Sequence, residues 1–109
     1  MWKVFKNLLA RSNNEALQTA LRNGALLVDV RSPLEFGMGS VVGAINIPLE
    51  KLHEQTDRLT SAKNIVVFCR SGSRSHQAKR LLERRGFAVV HNGGSWQQLN
   101  KLVQATVRK

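Results

Sequence analysis

Short runs of β-forming apolar residues alternate in this chain with segments of helical spacing, and that alternation narrows the fold to a few arrangements. The runs are residues 25–30, 44–47, 65–68 and 87–91. Asn13 or Asn14 can cap a helix in which Leu17, Ala20 and Leu21 recur at helical spacing, and Gly24 stops it. The first run is almost continuously apolar, as in a strand buried on both faces. Ser32-Pro33 begins a short helical turn, with Pro at a first-turn position. Leu49, Leu52 and Leu59 form the core side of further helical turns, Ala78, Leu81 and Leu82 a second stripe, and Trp96, Leu99 and Val103 a third. Strands that alternate with helices imply right-handed βαβ units and an α/β fold with an open, mostly parallel sheet. Loops at the carboxyl ends of such strands form the binding crevice.

One of those ends carries the chemistry. Ile65 to Phe68 runs into Cys69, the only cysteine, and Arg70-Ser71-Gly72-Ser73-Arg74 follows before a helical pattern starts near Ser75. A strand that turns through Gly into a helix brings the sulfur to a helix N-terminus, where unpaired N–H groups and the helix dipole converge. Such amides bind anions and lower a thiol pKa. Arg70 and Arg74 add positive charge. A cysteine chosen only for packing needs none of these neighbours. Asp29 and Arg31 suit a supporting role: the carboxylate accepts from nearby backbone N–H groups, and the guanidinium pairs with Glu35. Gly93-Gly94 permits a tight turn near the sheet's carboxyl edge. His91, at a strand end, could reach the site but is more often structural in such a place, whereas His53 belongs to the surface and His76 has no carboxylate placed to orient it as a base.

Cys69-Arg70-Ser71-Gly72-Ser73-Arg74 resembles the active-site loop of single-domain rhodanese sulfurtransferases. Leu27 to Phe36, Val42 to Pro48 and Asn92 to Trp96 resemble three further signatures of that family, in the family's order, over residues 13–100. The resemblance implies a rhodanese-like sheet of about four or five strands with helices on both faces. It implies Cys69 as the nucleophile, residues 70–74 as the substrate cradle, and Asp29, Arg31 and Glu35 as support. It also implies a persulfide on Cys69, loaded from thiosulfate or a related anionic donor. Cyanide or a thiol, a thioredoxin-like protein among them, then removes the sulfur. No metal or organic cofactor is implied. Where the family usually has a His this chain has Ser40, which removes a ring that could orient that loop.

Three other functions compete, one of them a non-catalytic module that uses the fold for protein contacts, against which the retained Cys69 argues. A sulfur carrier would pass its persulfide to one protein partner. Phosphatases and arsenate reductases also use a Cys–loop–Arg cradle, but their loop is one residue longer than the four residues between Cys69 and Arg74, and a shorter loop suits a bound sulfur better than a phosphoryl group. The chain of 109 residues is sized for one small domain, 1–109, and we expect a monomer. Its 17 Lys and Arg against 7 Asp and Glu favour anionic partners. Six aromatics, none of them Tyr, leave little for base stacking, so specific nucleic-acid binding is not expected. A single cysteine excludes an internal disulfide, so any sulfur carried on it leaves to an external acceptor. No apolar run approaches the ~18 residues of a membrane span. Residues 1–12 read either as an amphipathic helix, with Trp2, Phe5 and Leu9 on one arc, or as an edge strand. Too many lysines interrupt them for a signal peptide, which points to the cytoplasm.

Overall fold

A computed structural model describes residues 14–107. The expectation for residues 1–12 and a cap from Asn13 lie outside them. The elements run α1 (14–22), β1 (Leu26–Asp29), α2 (Pro33–Met38), β2 (Ile45–Asn46), α3 (Leu49–Leu52), a 3-10 turn (Thr56–Leu59), β3 (Ile65–Cys69), α4 (Ser73–Arg84), β4 (Val90–Ser95) and α5 (Trp96–Val107). The four strands form one sheet in the order β2-β1-β3-β4, and every neighbouring pair is parallel. Among the described residues no helix is long and apolar enough to cross a membrane.

Alternation of side chains across the pleat explains why β1 and β3 read as unbroken apolar runs. Val28, Val30, Ile65, Val67 and Cys69 face Leu52, Leu59, Ala78 and Leu82, so α3, the 3-10 turn and α4 cover that side. Leu27, Val66 and Phe68 face Leu17, Ala20, Leu21 and Leu99, so α1 and α5 cover the other. Both sides of the sheet are therefore dry, and the expected helices on both faces are present.

The strand order also locates the crevice. From β1 the chain steps outward to β2; from β3 it steps the other way to β4. The carboxyl ends of β1 and β3 are where the direction reverses, and loops leaving such a pair diverge and open a cleft. Cys69 ends β3 at that point.

Three local expectations are corrected. The helix after Cys69 starts at Ser73 rather than near Ser75, because Gly72 adopts a left-handed conformation (φ 102°) and directs the next residue into the helix. The last strand is Val90–Ser95 rather than 87–91. Residues 85–87 are still closing α4, with the Gly86 and Phe87 N–H groups donating to Glu83 and Leu82 carbonyls. Gly93-Gly94 makes no tight turn. It lies in β4 at a bulge, where Val67 pairs with Asn92 and Cys69 with Ser95, one extra residue on β4. Alternation along β4 before the bulge puts Asn92 on the same face as Val67 and Gly93 toward α5.

Gly93 is there for space. A Cβ would lie 2.9 Å from both Leu99 Cδ2 and Val66 Cγ1, and both side chains are buried. We expect Gly93→Ala to destabilise the fold by about 1–3 kcal/mol, the usual cost of overpacking a filled core. Urea denaturation of the two proteins measures it; an unchanged midpoint would mean that α5 yields without cost.

Candidate active site

Cys69 is 1% exposed and lies at the floor of the loop 70–74. The Gly72 N–H donates to its Sγ at 3.0 Å. The Ser75 hydroxyl stands 3.4 Å from Sγ. Burial raises the thiol pKa, but hydrogen bonds from the Ser75 side chain and from the backbone N–H groups of Ser75, Ser71 and Gly72 outweigh it, so the net pKa is below that of an ordinary thiol. No side chain caps the N-terminus of α4. The sulfur occupies the place a capping oxygen would take, and the helix's first amides converge on it.

A second layer of polar contacts holds the loop. Asn92 Nδ2 donates to the Gly72 carbonyl at 3.1 Å, and its Oδ1 accepts from Ser75 Oγ at 2.6 Å and from Gly94 N–H at 2.9 Å. Neither Ser75 nor Asn92 was singled out by sequence reasoning, although Ser75 directly follows the Cys69–Arg74 loop and Asn92 opens the Asn92–Trp96 signature. Ser75 follows Arg74 on the first turn of α4, which was the available signal. Asn92 carried none, since its face is set by the pairing of β4, which places it opposite Val67 on the α4 side.

The supporting residues pair differently from the expectation. Arg31 does not meet Glu35. Its guanidinium grips Asp29 at 2.8–3.1 Å, and the Asp29 carboxylate also accepts the Arg31 N–H at 2.9 Å. Asp29 follows Leu27 by two residues, so the pair lies on the α5 side of the sheet, where the guanidinium stacks 5.1 Å from the Trp96 ring. That is the side away from Cys69. The pair instead anchors the loop after α2: Arg31 donates to the Gly39 carbonyl at 2.6 Å, and Ser40 Oγ donates to Asp29 at 2.7 Å. Ser40 thus ties the loop down by its hydroxyl.

Glu35 has two other partners. It closes a capping box with Ser32 at the start of α2 and takes a bidentate pair from Arg74 at 2.9 and 3.0 Å. The contact bridges α2 and α4 over the switch point. Its second effect concerns charge. Arg74 adds less free positive potential to the loop than expected, because Glu35 neutralises it. Arg70 is exposed and makes no hydrogen bond or ion pair among the described residues. Of the two loop arginines it is the one whose charge is not neutralised by a neighbouring carboxylate among the described residues.

The histidines lie elsewhere. His91 is opposite Val66, three residues back from Cys69, so it does not reach the site; burial, with Lys79 nearby, lowers its pKa. His53 and His76 are exposed. An apolar cleft lined by Leu26, Val42, Lys63 and Val103 opens at the amino ends of the strands, and among the described residues no cysteine, histidine or carboxylate lines it.

The family model described as "Rhodanese-like domain" matches residues 12–101. The chain belongs to the rhodanese-like domain family. The thiosulfate sulfurtransferase PspE of Escherichia coli is 39% identical over 69 residues, covering 62% of this chain and 66% of that protein. A sulfurtransferase of Allochromatium vinosum is 34% identical over 67 residues, covering 62% of this chain and 63% of its own length. The chain thus spans just under two thirds of the length of these relatives. Among solved structures, a rhodanese from E. coli described as "with anions" superposes with a TM-score of 0.63 at 35% identity, over 69% of this chain and 91% of that one. In this rhodanese-like domain the expected motifs fall where the geometry requires: one at the end of β1, one at β2, one at the end of β3 and one in β4.

The Glu35–Arg74 pair makes a test by pH. The hydrogen bonds from Arg74, with those from Ser32, hold Glu35 at about 2 instead of its ordinary 4.5. A depressed carboxyl pKa stabilises the fold above its unfolded value and loses that contribution as pH falls through its folded value. Glu35→Gln keeps the capping box but removes the charge. We expect the variant to be less stable than the parent at pH 7 in urea titrations, and the gap to close between about pH 4.5 and about 2. A gap that stays constant over that range would assign the loss to packing.

Proposed function

We propose that the protein is a sulfurtransferase that takes sulfane sulfur from thiosulfate, or a related small anionic donor, onto Cys69 and delivers it to cyanide or a thiol. The observation that carries this reading is the convergence of the Ser71, Gly72 and Ser75 N–H groups on one buried sulfur. That set favours the thiolate, which is the nucleophilic form.

In the first half-reaction the Cys69 thiolate attacks the outer sulfur of the donor. The new S–S bond forms as the donor's own bond breaks, and sulfite leaves with the electron pair. The persulfide divides one hard displacement into two easier ones. Its outer sulfur carries negative charge into the loop, where fixed amides meet it without reorganisation. In the second half-reaction an acceptor nucleophile takes that outer sulfur and Cys69 leaves as a thiolate. With no second cysteine in the chain to resolve the persulfide, the acceptor comes from outside: cyanide, a small thiol or a protein thiol such as that of a thioredoxin-like partner.

Two features favour sulfur over a phosphoryl group. Cys69 is almost fully buried, so a slim terminal sulfur reaches it more readily than a tetrahedral phosphorus. Arg74, which a phosphatase would need free over the loop, is held by Glu35.

Cys69→Ser is nearly isosteric, so we expect it to fold with an unchanged melting temperature and to form no thiocyanate from thiosulfate and cyanide. Substantial residual turnover in that variant would refute the persulfide route. Donor choice rests on Arg70, for which a dianion gains more than a monocarboxylate. A charge-assisted contact open to water sits toward the low end of about 1–3 kcal/mol. Arg70→Gly is therefore expected to raise KM for thiosulfate about tenfold, equivalent to about 1.4 kcal/mol, and to affect mercaptopyruvate less. Steady-state kinetics with both donors at two salt concentrations decides it; equal losses would mean that Arg70 does not select the donor.

A further inference from the structure

Ser75 is 0% exposed, and its hydroxyl stands between two acceptors, Asn92 Oδ1 at 2.6 Å and Cys69 Sγ at 3.4 Å. A hydroxyl has one proton to give, so it cannot serve a thiolate and Asn92 together. Asn92 does not depend on that proton. Its Oδ1 keeps the Gly94 N–H, and its amide is fixed on the Gly72 carbonyl. Resting on the reading of Cys69 as nucleophile, we propose that Ser75 is a catalytic hydroxyl that turns its single proton between Asn92 Oδ1 and Cys69 Sγ as sulfur is loaded and unloaded. Asn92 is then the positioning residue that sets the balance between the two.

In the resting thiol, Cys69 donates to Ser75 and Ser75 donates to Asn92. In the thiolate, the Ser75 O–H turns to Sγ. On loading, Sγ forms its bond to the donor's outer sulfur, the remnant leaves with the pair from the broken bond, and the charge moves to the outer sulfur. Sγ is then neutral, and the Ser75 proton returns to Asn92. On unloading, the acceptor attacks the outer sulfur, the S–S pair falls back on Sγ, and Ser75 donates to it again. No proton is gained or lost; one O–H bond rotates. Ser75 thus stabilises Sγ both as attacking group and as leaving group. These roles respond oppositely to thiol acidity: a less acidic thiol is the better nucleophile once ionised and the worse leaving group.

The charged groups on the Cys69 side are Arg74 of α4, paired with Glu35 of α2, and Arg70 in the loop, while the Asp29–Arg31 pair at the end of β1 lies on the other side of the sheet. His76 of α4 is exposed, and His91 of β4 lies opposite Val66. None is altered by changes at 75 or 92. The Gly72 carbonyl also accepts the His76 N–H at 3.0 Å, so the first turn of α4 holds the loop when the Asn92 amide is removed.

The test uses the full chain as parent, Ser75→Ala, Asn92→Ala and the double variant, each checked by thermal melting. Iodoacetamide alkylation against pH, without donor, reads the ionisation of Cys69. Single-turnover loading from thiosulfate and unloading to cyanide read the two steps. We expect Ser75→Ala to move the alkylation midpoint up and to slow unloading about tenfold at every pH. Loading should slow only below the midpoint, and match or exceed the parent above it. Asn92→Ala should move the midpoint down, because Ser75 is left with one acceptor, and the double variant should follow Ser75→Ala. The proposal is overturned by an unmoved midpoint in Ser75→Ala, by an Asn92→Ala shift that persists in the double variant, or by equal slowing of both steps at all pH. If the midpoints move as expected but no variant, nor the parent, loads sulfur, the sulfur-transfer reading fails and the hydroxyl switch stands.

Discussion

The hydrogen bond from Gly72 N–H to Cys69 Sγ is the contact on which the rest of the arrangement depends. It exists because three levels of structure agree at one point. A strand buried on both faces delivers the sulfur to the carboxyl edge of the sheet. Gly72 turns the chain in a conformation that a residue with a Cβ rarely adopts. A twelve-residue helix then starts at once without a side-chain cap, so its amides and dipole act on the sulfur. Any of these alone would leave a packed cysteine. Together they counter the desolvation that burial imposes and hold the thiol pKa below its ordinary value.

Two ion pairs keep that geometry in place, from opposite sides of the sheet. Asp29 and Arg31 work on the α5 side and secure the loop through Gly39 and Ser40. Their buried charges are supported by a backbone N–H and by Trp96 as well as by each other, as a buried pair requires. Glu35 and Arg74 work at the mouth, joining the two helices that follow β1 and β3. The division has a chemical consequence. Arg74 is committed to structure, and in the proposed reaction specificity for an anion rests on Arg70 and the loop amides.

Much of this was legible in the sequence, and the misses share a cause. The strand-to-helix passage at Cys69 is local: apolar β-formers, a glycine at the turn and a helical stripe all lie within one stretch, so the cysteine at a helix N-terminus could be read directly. The alternation of strands and helices gave the parallel sheet. Pairings between distant elements were not legible. Arg31 has an acidic neighbour at Asp29 and another at Glu35, and only the pleat decides between them. It sends residues 29 and 31 to the same side, while α2 turns Glu35 toward α4. The bulge in β4 was also hidden, because Gly93-Gly94 spells a turn as readily as a bulge. It is the register of β4, with Asn92 opposite Val67, that brings Asn92 onto Ser75, so the inner hydrogen-bond network around Sγ could be seen only once that register was known.

The central claim is that Cys69 carries sulfur as a persulfide within the loop. Intact-mass and peptide mass spectrometry of the protein after exposure to thiosulfate, then after a chase with cyanide or a small thiol, measures it most directly. The account predicts the mass of one added sulfur, located on the peptide containing Cys69, and its disappearance in the chase. A protein that gains no sulfur, or that gains it on a peptide without Cys69, would contradict the account.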